Sequence, residues 1–391
     1  MLSACGGGDD AKKTASADDA FDRNPYPSTY APFPNAPVLI TNATILDGEG
    51  NLIEDGSLLL QDGKIVALGA DFEAPDGAET IDATGRWVTP GIIDNHSHLG
   101  VYPSPGVTAH GDGNEVSGPV TAEVWSEHGV WPQDPGFTRA IAGGITSLQV
   151  LPGSANLFGG RGVILKNVPS RTVQGMKFPD APYTLKMACG ENPKRVYGYG
   201  NGGFPGGAPY SRMGNVAGYR QAWIRAAEYK SKWEKFESEG GEPPARDLEL
   251  DTLAGVLSGD ILVHMHCYRA DEMAQIIDMS KEFGYKVTAF HHAVESYKIA
   301  DILAKEGICS AVWADWWGFK MEAYDAIPEN AALLQKAGAC VIVHSDDENQ
   351  IQRLNQEAAK ALADGRAMGI DISDAQAIQW ITYNPAKAMG I

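Results

Sequence analysis

The stretch Trp87-Val88-Thr89-Pro90-Gly91-Ile92-Ile93-Asp94-Asn95-His96-Ser97-His98 decides how this chain reads. An apolar, β-branched segment delivers histidines at i and i+2. Side chains alternate along a strand, so both imidazoles leave the same face. Two neutral imidazoles at a strand's end are suited to share a divalent ion such as zinc. Taken alone, a His-x-His pair is no more than two polar residues at a turn. Three later apolar runs end in the same way: Val263-His264-Met265-His266, Ala289-Phe290-His291-His292 and Val341-Ile342-Val343-His344-Ser345-Asp346. Packing does not explain four such tips converging on one rim.

Outward from this motif, short apolar runs alternate with helical patterns. Strands are expected at Gly91–His96, Ile145–Leu151, Gly162–Asn167, Tyr183–Cys189, Ile261–His266, Lys286–His292, Ile308–Ala314 and Ala339–Ser345. Helical patterns at Ala270–Phe283, Tyr297–Lys305, Asn330–Ala337 and Leu354–Leu362 fill several gaps. Alternating β and α over about 300 residues implies a parallel sheet closed as a (β/α)8 TIM barrel, with catalytic groups at the C-terminal strand ends. A helical excursion is expected at about 196–258. Within it Tyr219, Trp223, Ala226, Tyr229, Trp233 and Phe236 keep helical spacing, with Asn215 as cap and Gly240-Gly241 as stop. That aromatic stripe reads as packing rather than as a substrate platform.

Before the motif lies a small β-rich unit, 38–89. Val38–Leu46 reads as a strand, and Gln61-Asp62-Gly63 joins two apolar runs as a hairpin. Residues 1–37 read as linker. At their start Leu2-Ser3-Ala4-Cys5 resembles the lipobox of bacterial lipoproteins, followed by a polar tether. The expected lipidation site is therefore Cys5, with the protein held in the cell envelope on the periplasmic face of the outer membrane. The remaining cysteines, Cys189, Cys267, Cys309 and Cys340, lack the spacing of a zinc knuckle or a disulfide framework and are expected as buried free thiols.

A net charge of −19 argues against a nucleic-acid partner, which calls for a basic face. No apolar run approaches transmembrane length, so contact with a membrane is expected only through the lipid anchor.

In these residues the chain resembles the amidohydrolase superfamily, in its imidazolonepropionase-like and prolidase-like branch. Thr89-Pro90-Gly91-Ile92-Ile93-Asp94 with His96 and His98 is that superfamily's opening motif. Gly143-Gly144-Ile145-Thr146-Ser147, Ser345-Asp346 and Ile381-Thr382-Tyr383-Asn384-Pro385-Ala386-Lys387 resemble later ones, and Leu151-Pro152-Gly153-Ser154-Ala155-Asn156 and Gly190-Glu191-Asn192-Pro193-Lys194-Arg195 resemble subgroup signatures. The match runs from about Val38 to Ile391. It is specific for the superfamily and much less so for substrate.

The resemblance implies a ligand set. Arg269-Ala270-Asp271 aligns His266 rather than His264, and His292-Ala293-Val294-Glu295 matches a His-x-x-Glu. Alternation sends His291 and His292 opposite ways, so only one of them should face the pore. Asp346 is the eighth-strand acid and general base, while His344 is either an outer support or a core histidine. Lys186, with Lys166 as rival, would be carboxylated and bridge two ions; unmodified, the site would hold one. His96 and His98 would hold one zinc, and His266 and His292 the other. Tyr268, Arg269 and Glu295 are candidates to contact substrate, whereas His110 and His128 read as surface residues.

The resemblance implies metal-dependent hydrolysis of an amide, peptide or cyclic amide C–N bond in a small molecule, of dipeptide or N-acyl amino acid type. The alternatives are a lactonase or deaminase on the same scaffold, or a solute-binding lipoprotein without turnover. Relatives add strands to the small β unit after the Asn-Pro-Ala helix, so the C-terminal part of that domain is expected to be missing here. Its exposed edge is then expected to promote self-association.

Overall fold

The computed structural model describes residues 24–70, 72–199 and 207–391. Cys5 lies outside the described residues.

The small unit contains β1 (Val38–Leu46), β2 (Leu52–Gln61), β3 (Lys64–Gly69), β4 (Glu79–Asp82) and β5 (Trp87–Val88). Its order is β3-β2-β1-β4, with β5 also paired to β1. Asp62 and Gly63 join β2 to β3 at φ 52° and 73°. Two consecutive positive φ values are what a tight hairpin between right-twisted strands requires, and Asp-Gly supplies them cheaply. One face packs Ala43, Ile45, Leu58 and Ala83 together, while β3 leaves Ile65, Val66 and Leu68 exposed.

The main unit is an eight-stranded barrel-type sheet, with β6 (Ile92–Ser97), β7 (Ile145–Val150), β8 (Phe158–Lys166) and β9 (Thr184–Ala188) followed by β10 (Leu262–Cys267), β11 (Val287–His292), β12 (Cys309–Val312) and β13 (Cys340–Val343). These strands neighbour one another in chain order. At the seam, Ile93 N–H donates to the Ile381 carbonyl at 2.8 Å and Val343 N–H to that of Trp380 at 3.0 Å. At its mouth, Asp346 N–H donates to the His96 carbonyl at 3.1 Å. The first and last strands are thus held together where the histidines emerge.

The third strand departs from the expected (β/α)8 pattern. β8 runs antiparallel to both β7 and β9. The link 151–157 is too short for a helical crossover, which needs a dozen or more residues, so the chain turns back on itself.

The excursion forms the helices Arg212–Glu239 and Leu248–Ser258. The aromatic stripe of the first is buried, with Trp223 and Tyr219 among the largest fully buried side chains. Burying such side chains contributes about 1.5–3 kcal/mol each. Gly240 ends this helix, but its cap is Ser211, whose hydroxyl accepts from Gly214 N–H at 3.1 Å. Asn215 is instead buried inside the helix and donates to the Gly190 carbonyl at 2.9 Å.

The cysteines correct the sequence expectation. Cys189–Cys267 and Cys309–Cys340 are disulfides, each between adjacent parallel strands or their immediate ends. Their sequence separations of 78 and 31 residues carry no motif. Only strand register, such as Cys309 opposite Cys340, makes them neighbours.

Candidate metal centre

His96 and His98 leave the end of β6 on one side, and Asp346 meets them from the turn after β13. His96 Nε2 lies 3.3 Å from His98 Nε2, and each nitrogen lies 3.2 Å from Asp346 Oδ1. A tetrahedral ion with bonds of about 2.0 Å separates its ligand atoms by about 3.3 Å. The three atoms therefore fit one triangular face of such a coordination shell. His98 Nδ1 donates to the Leu151 carbonyl at 2.8 Å, which leaves its Nε2 as a lone pair facing the group. His98 and Asp346 keep 15% and 21% of their side chains exposed, whereas His96 is sealed beneath them. The triad sits at a rim that solvent reaches.

The other expected ligands surround this triad less tightly. His292 Nδ1 lies 3.7 Å from Asp346 Oδ2. Lys186 is fully buried, its Nζ 3.1 Å from the Pro152 carbonyl and 3.5 Å from His96 Nε2. The rival Lys166 points elsewhere, over the rings of Phe178 and Tyr30. His266 packs edge-on to His292 with ring centres 4.6 Å apart, and its Nε2 is 3.5 Å from Asn192 Nδ2. Nδ1 of both His266 and His292 is buried without a hydrogen-bond partner. Buried polar atoms ordinarily have partners, so these two nitrogens fit the role of metal ligands.

Alternation does not separate His291 from His292, and His344 joins the cluster. His291 is as buried as His292, and its Nδ1 lies 2.8 Å from His96 Nδ1. His292 and Ala293 have φ of 68° and 40°, so the strand breaks there and both rings turn inward. His264 lies deeper, with Nδ1 2.8 Å from His291 Nε2 and Nε2 3.1 Å from the Ala388 carbonyl. His344 stacks on His96, and neither of its ring nitrogens has a hydrogen-bond partner. With His96 and His292 it forms a second cluster of metal-ligand type, its ligand atoms within 4.8 Å of one another.

Burial sets the protonation of this cluster. It holds His96, His266, His291 and His292 well below the ordinary imidazole value, and it pushes His264 down to about 3 and His344 to about 4. These rings are neutral near pH 7 and offer lone pairs. Burial opposes ionisation of Asp346, while the imidazoles of His292, His98 and His344, when they carry a proton, favour it and hold the carboxyl well below its usual range. Burial also lowers Lys186 to about 8, so an appreciable fraction is free amine near neutrality.

Asp94, unremarked in the sequence, braces the rim. Its carboxylate accepts from His96 N–H at 3.1 Å and from the Ser345 hydroxyl at 2.5 Å. Tyr268 and Trp313 stack on His292, and Lys320 lies 3.9 Å from the centre of the Tyr268 ring. Arg269 and Glu295 serve local structure: Arg269 pairs with Asp271, and Glu295 accepts from Ala270 N–H at 3.0 Å. His110 and His128 are exposed.

The amidohydrolase family model matches residues 87–391. The chain belongs to the amidohydrolase family. Among curated proteins it is similar to amidohydrolase tasK of Hapsidospora irregularis, 33% identical over 341 residues, which cover 82% of this chain and 34% of that protein. The chain thus spans about a third of that relative's length. A shorter likeness, 53% over 38 residues, covers 9% of this chain and 10% of imidazolonepropionase from Acidiphilium cryptum. Among solved structures, an amidohydrolase from Thermotoga maritima MSB8 is 34% identical with a TM-score of 0.81, covering 90% of this chain and 88% of that one. A Xaa-Pro dipeptidase with bound methionine in its active site shares the fold at 14% identity and a TM-score of 0.52, covering 91% and 89%.

Proposed function

We propose that this amidohydrolase is metal-dependent and hydrolyses an amide bond in small substrates of dipeptide or N-acyl amino acid type. The observation that carries this reading is the triad His96, His98 and Asp346, whose three ligand atoms lie 3.2–3.3 Å apart at a solvent-reachable rim. Mutual repulsion of converging lone pairs disfavours that arrangement unless a cation is shared. Zinc suits this imidazole and carboxylate set, and when bound it lowers the pKa of a water and polarises a carbonyl. Asp346 would take the proton of the attacking water and return it to the leaving nitrogen. Its depressed pKa keeps it an unprotonated acceptor at the start.

His266 and His292 would hold a second ion, with carboxylated Lys186 between the two. The buried, partly deprotonated amine of Lys186 beside His96 supports that modification. Tyr268 and Trp313 would form one wall for the substrate.

The same reading places the protein in the bacterial envelope, anchored through Cys5. The two disulfides support an oxidising compartment. In a bacterium expressing the gene with its signal sequence, Cys5→Ser should release the protein from the membrane fraction; unchanged retention would reject the anchor.

The functional test is to strip the protein with a chelator, reload it with zinc and assay a panel of dipeptides and N-acyl amino acids. Turnover should vanish and return. A zinc-loaded protein inert to the whole panel would reject the substrate class, and turnover indifferent to chelation would reject metal dependence.

A further inference from the structure

We infer that His264 and His291 are positioning residues that fix the ring tautomer of His96 through a one-directional line of hydrogen bonds anchored on the Ala388 carbonyl. This rests on the proposed role of His96 as a metal ligand.

The line is continuous. Ala388 lies in the C-terminal helix Tyr383–Met389, and its carbonyl is 3.1 Å from His264 Nε2. His264 Nδ1 is 2.8 Å from His291 Nε2, and His291 Nδ1 is 2.8 Å from His96 Nδ1. All three rings are fully buried. Among the described residues the imidazole–carboxylate pairs at this site are those of His96, His98 and His292 with Asp346. His264 and His291 have no such counter-charge, and rings so placed are neutral.

A neutral imidazole has one N–H and one lone pair, and a carbonyl can only accept. The single N–H of His264 must therefore sit on Nε2, facing Ala388. Its Nδ1 is then an acceptor, and His291 donates to it from Nε2. That leaves His291 Nδ1 as an acceptor, so His96 donates from Nδ1. His96 Nε2 is left as a lone pair, and this is the atom facing His98 Nε2 and Asp346 Oδ1.

Reversing the line puts a proton on His96 Nε2, where a metal would bind. It also sets a bare His264 Nε2 against the Ala388 carbonyl, lone pair to lone pair. The carbonyl at the far end thus selects the metal-binding form of His96. His98 achieves the same result in one step, through Leu151.

The test is long-range 1H–15N NMR of histidine-labelled protein, zinc-free and zinc-loaded, combined with zinc affinities of two variants. In the zinc-free wild type, His264 and His291 should be protonated at Nε2 and His96 at Nδ1. His264→Leu removes the acceptor for His291 and should weaken zinc binding about 10–100-fold, the usual cost of losing such an outer partner. His264→Asn keeps an acceptor oxygen near the Nδ1 position and should recover most of that affinity. A wild-type spectrum with His96 protonated at Nε2 would overturn the inference, as would His264→Leu binding zinc like the wild type. If His264→Leu does not fold, the wild-type spectrum decides alone. Zinc that leaves the His96 signals unmoved would instead reject the ligand role, whatever the tautomers.

Discussion

The carboxylate of Asp94 accepts the Ser345 hydroxyl at 2.5 Å, tying the end of the first barrel strand to the turn after the last. His96 and Asp346 are the chain neighbours that this bond brings to one point, and the barrel closes where the site forms. Asp94→Ala strips the Ser345 hydroxyl and the His96 N–H of their acceptor, and leaving such buried donors unpaired costs about 1–3 kcal/mol. Urea unfolding should show a midpoint shift of that size, and an unchanged midpoint would mean that the seam holds without it.

Burial pushes Asp94 up to about 7, against hydrogen bonds from Ser345 and His96 that pull the other way. The folded state then binds its proton more tightly than the unfolded state does. Stability from this group is full on the acid side of an ordinary carboxyl and declines as pH rises from about 4 through 7. Wild-type protein should therefore lose stability between about pH 4 and 7 relative to Asp94→Asn, which cannot ionise. Parallel stability–pH curves for the two proteins would contradict this.

Lys186→Ala should bind fewer metal equivalents than wild type, whereas Lys166→Ala should not. In the presence of 13C-bicarbonate, a carbamate signal should appear in wild type and grow as pH rises through about 8, where the amine loses its proton. Loss of metal in Lys166→Ala with none in Lys186→Ala would move the bridging role to the third strand.

Alkylation of the denatured, unreduced chain should leave Cys189, Cys267, Cys309 and Cys340 unlabelled, with Cys5 alone able to react when it carries no lipid. Replacing Cys309 and Cys340 together by Ser should cost about 4 kcal/mol, the loop-closure value for a separation of this order. Labelling of all five cysteines would return the description to free thiols.

Much of this was legible in the sequence, because strand ends with i, i+2 histidines carry their geometry in their spacing. The helical stripe from Tyr219 to Phe236 was equally plain, since a 3.6-residue period specifies a buried face by itself. What escaped depends on relations between distant segments. The antiparallel β8 follows from a short link whose meaning appears only once its neighbours are paired. The two disulfides follow from register. That His291 and His292 both turn inward escapes alternation, which holds only while a strand continues, and positive φ at His292 ends it. The brace from Asp94 needs Ser345 beside it, which only barrel closure provides.

The central claim is that Asp346, beside His96 and His98, carries the proton of a metal-dependent hydrolysis. It is tested most directly by the turnover of Asp346→Asn at the same zinc content as wild type, on the best substrate of the panel. The account predicts an intact fold, most of the metal retained, and a rate lower by about 10²–10⁴-fold. Near-wild-type turnover at equal zinc would contradict it.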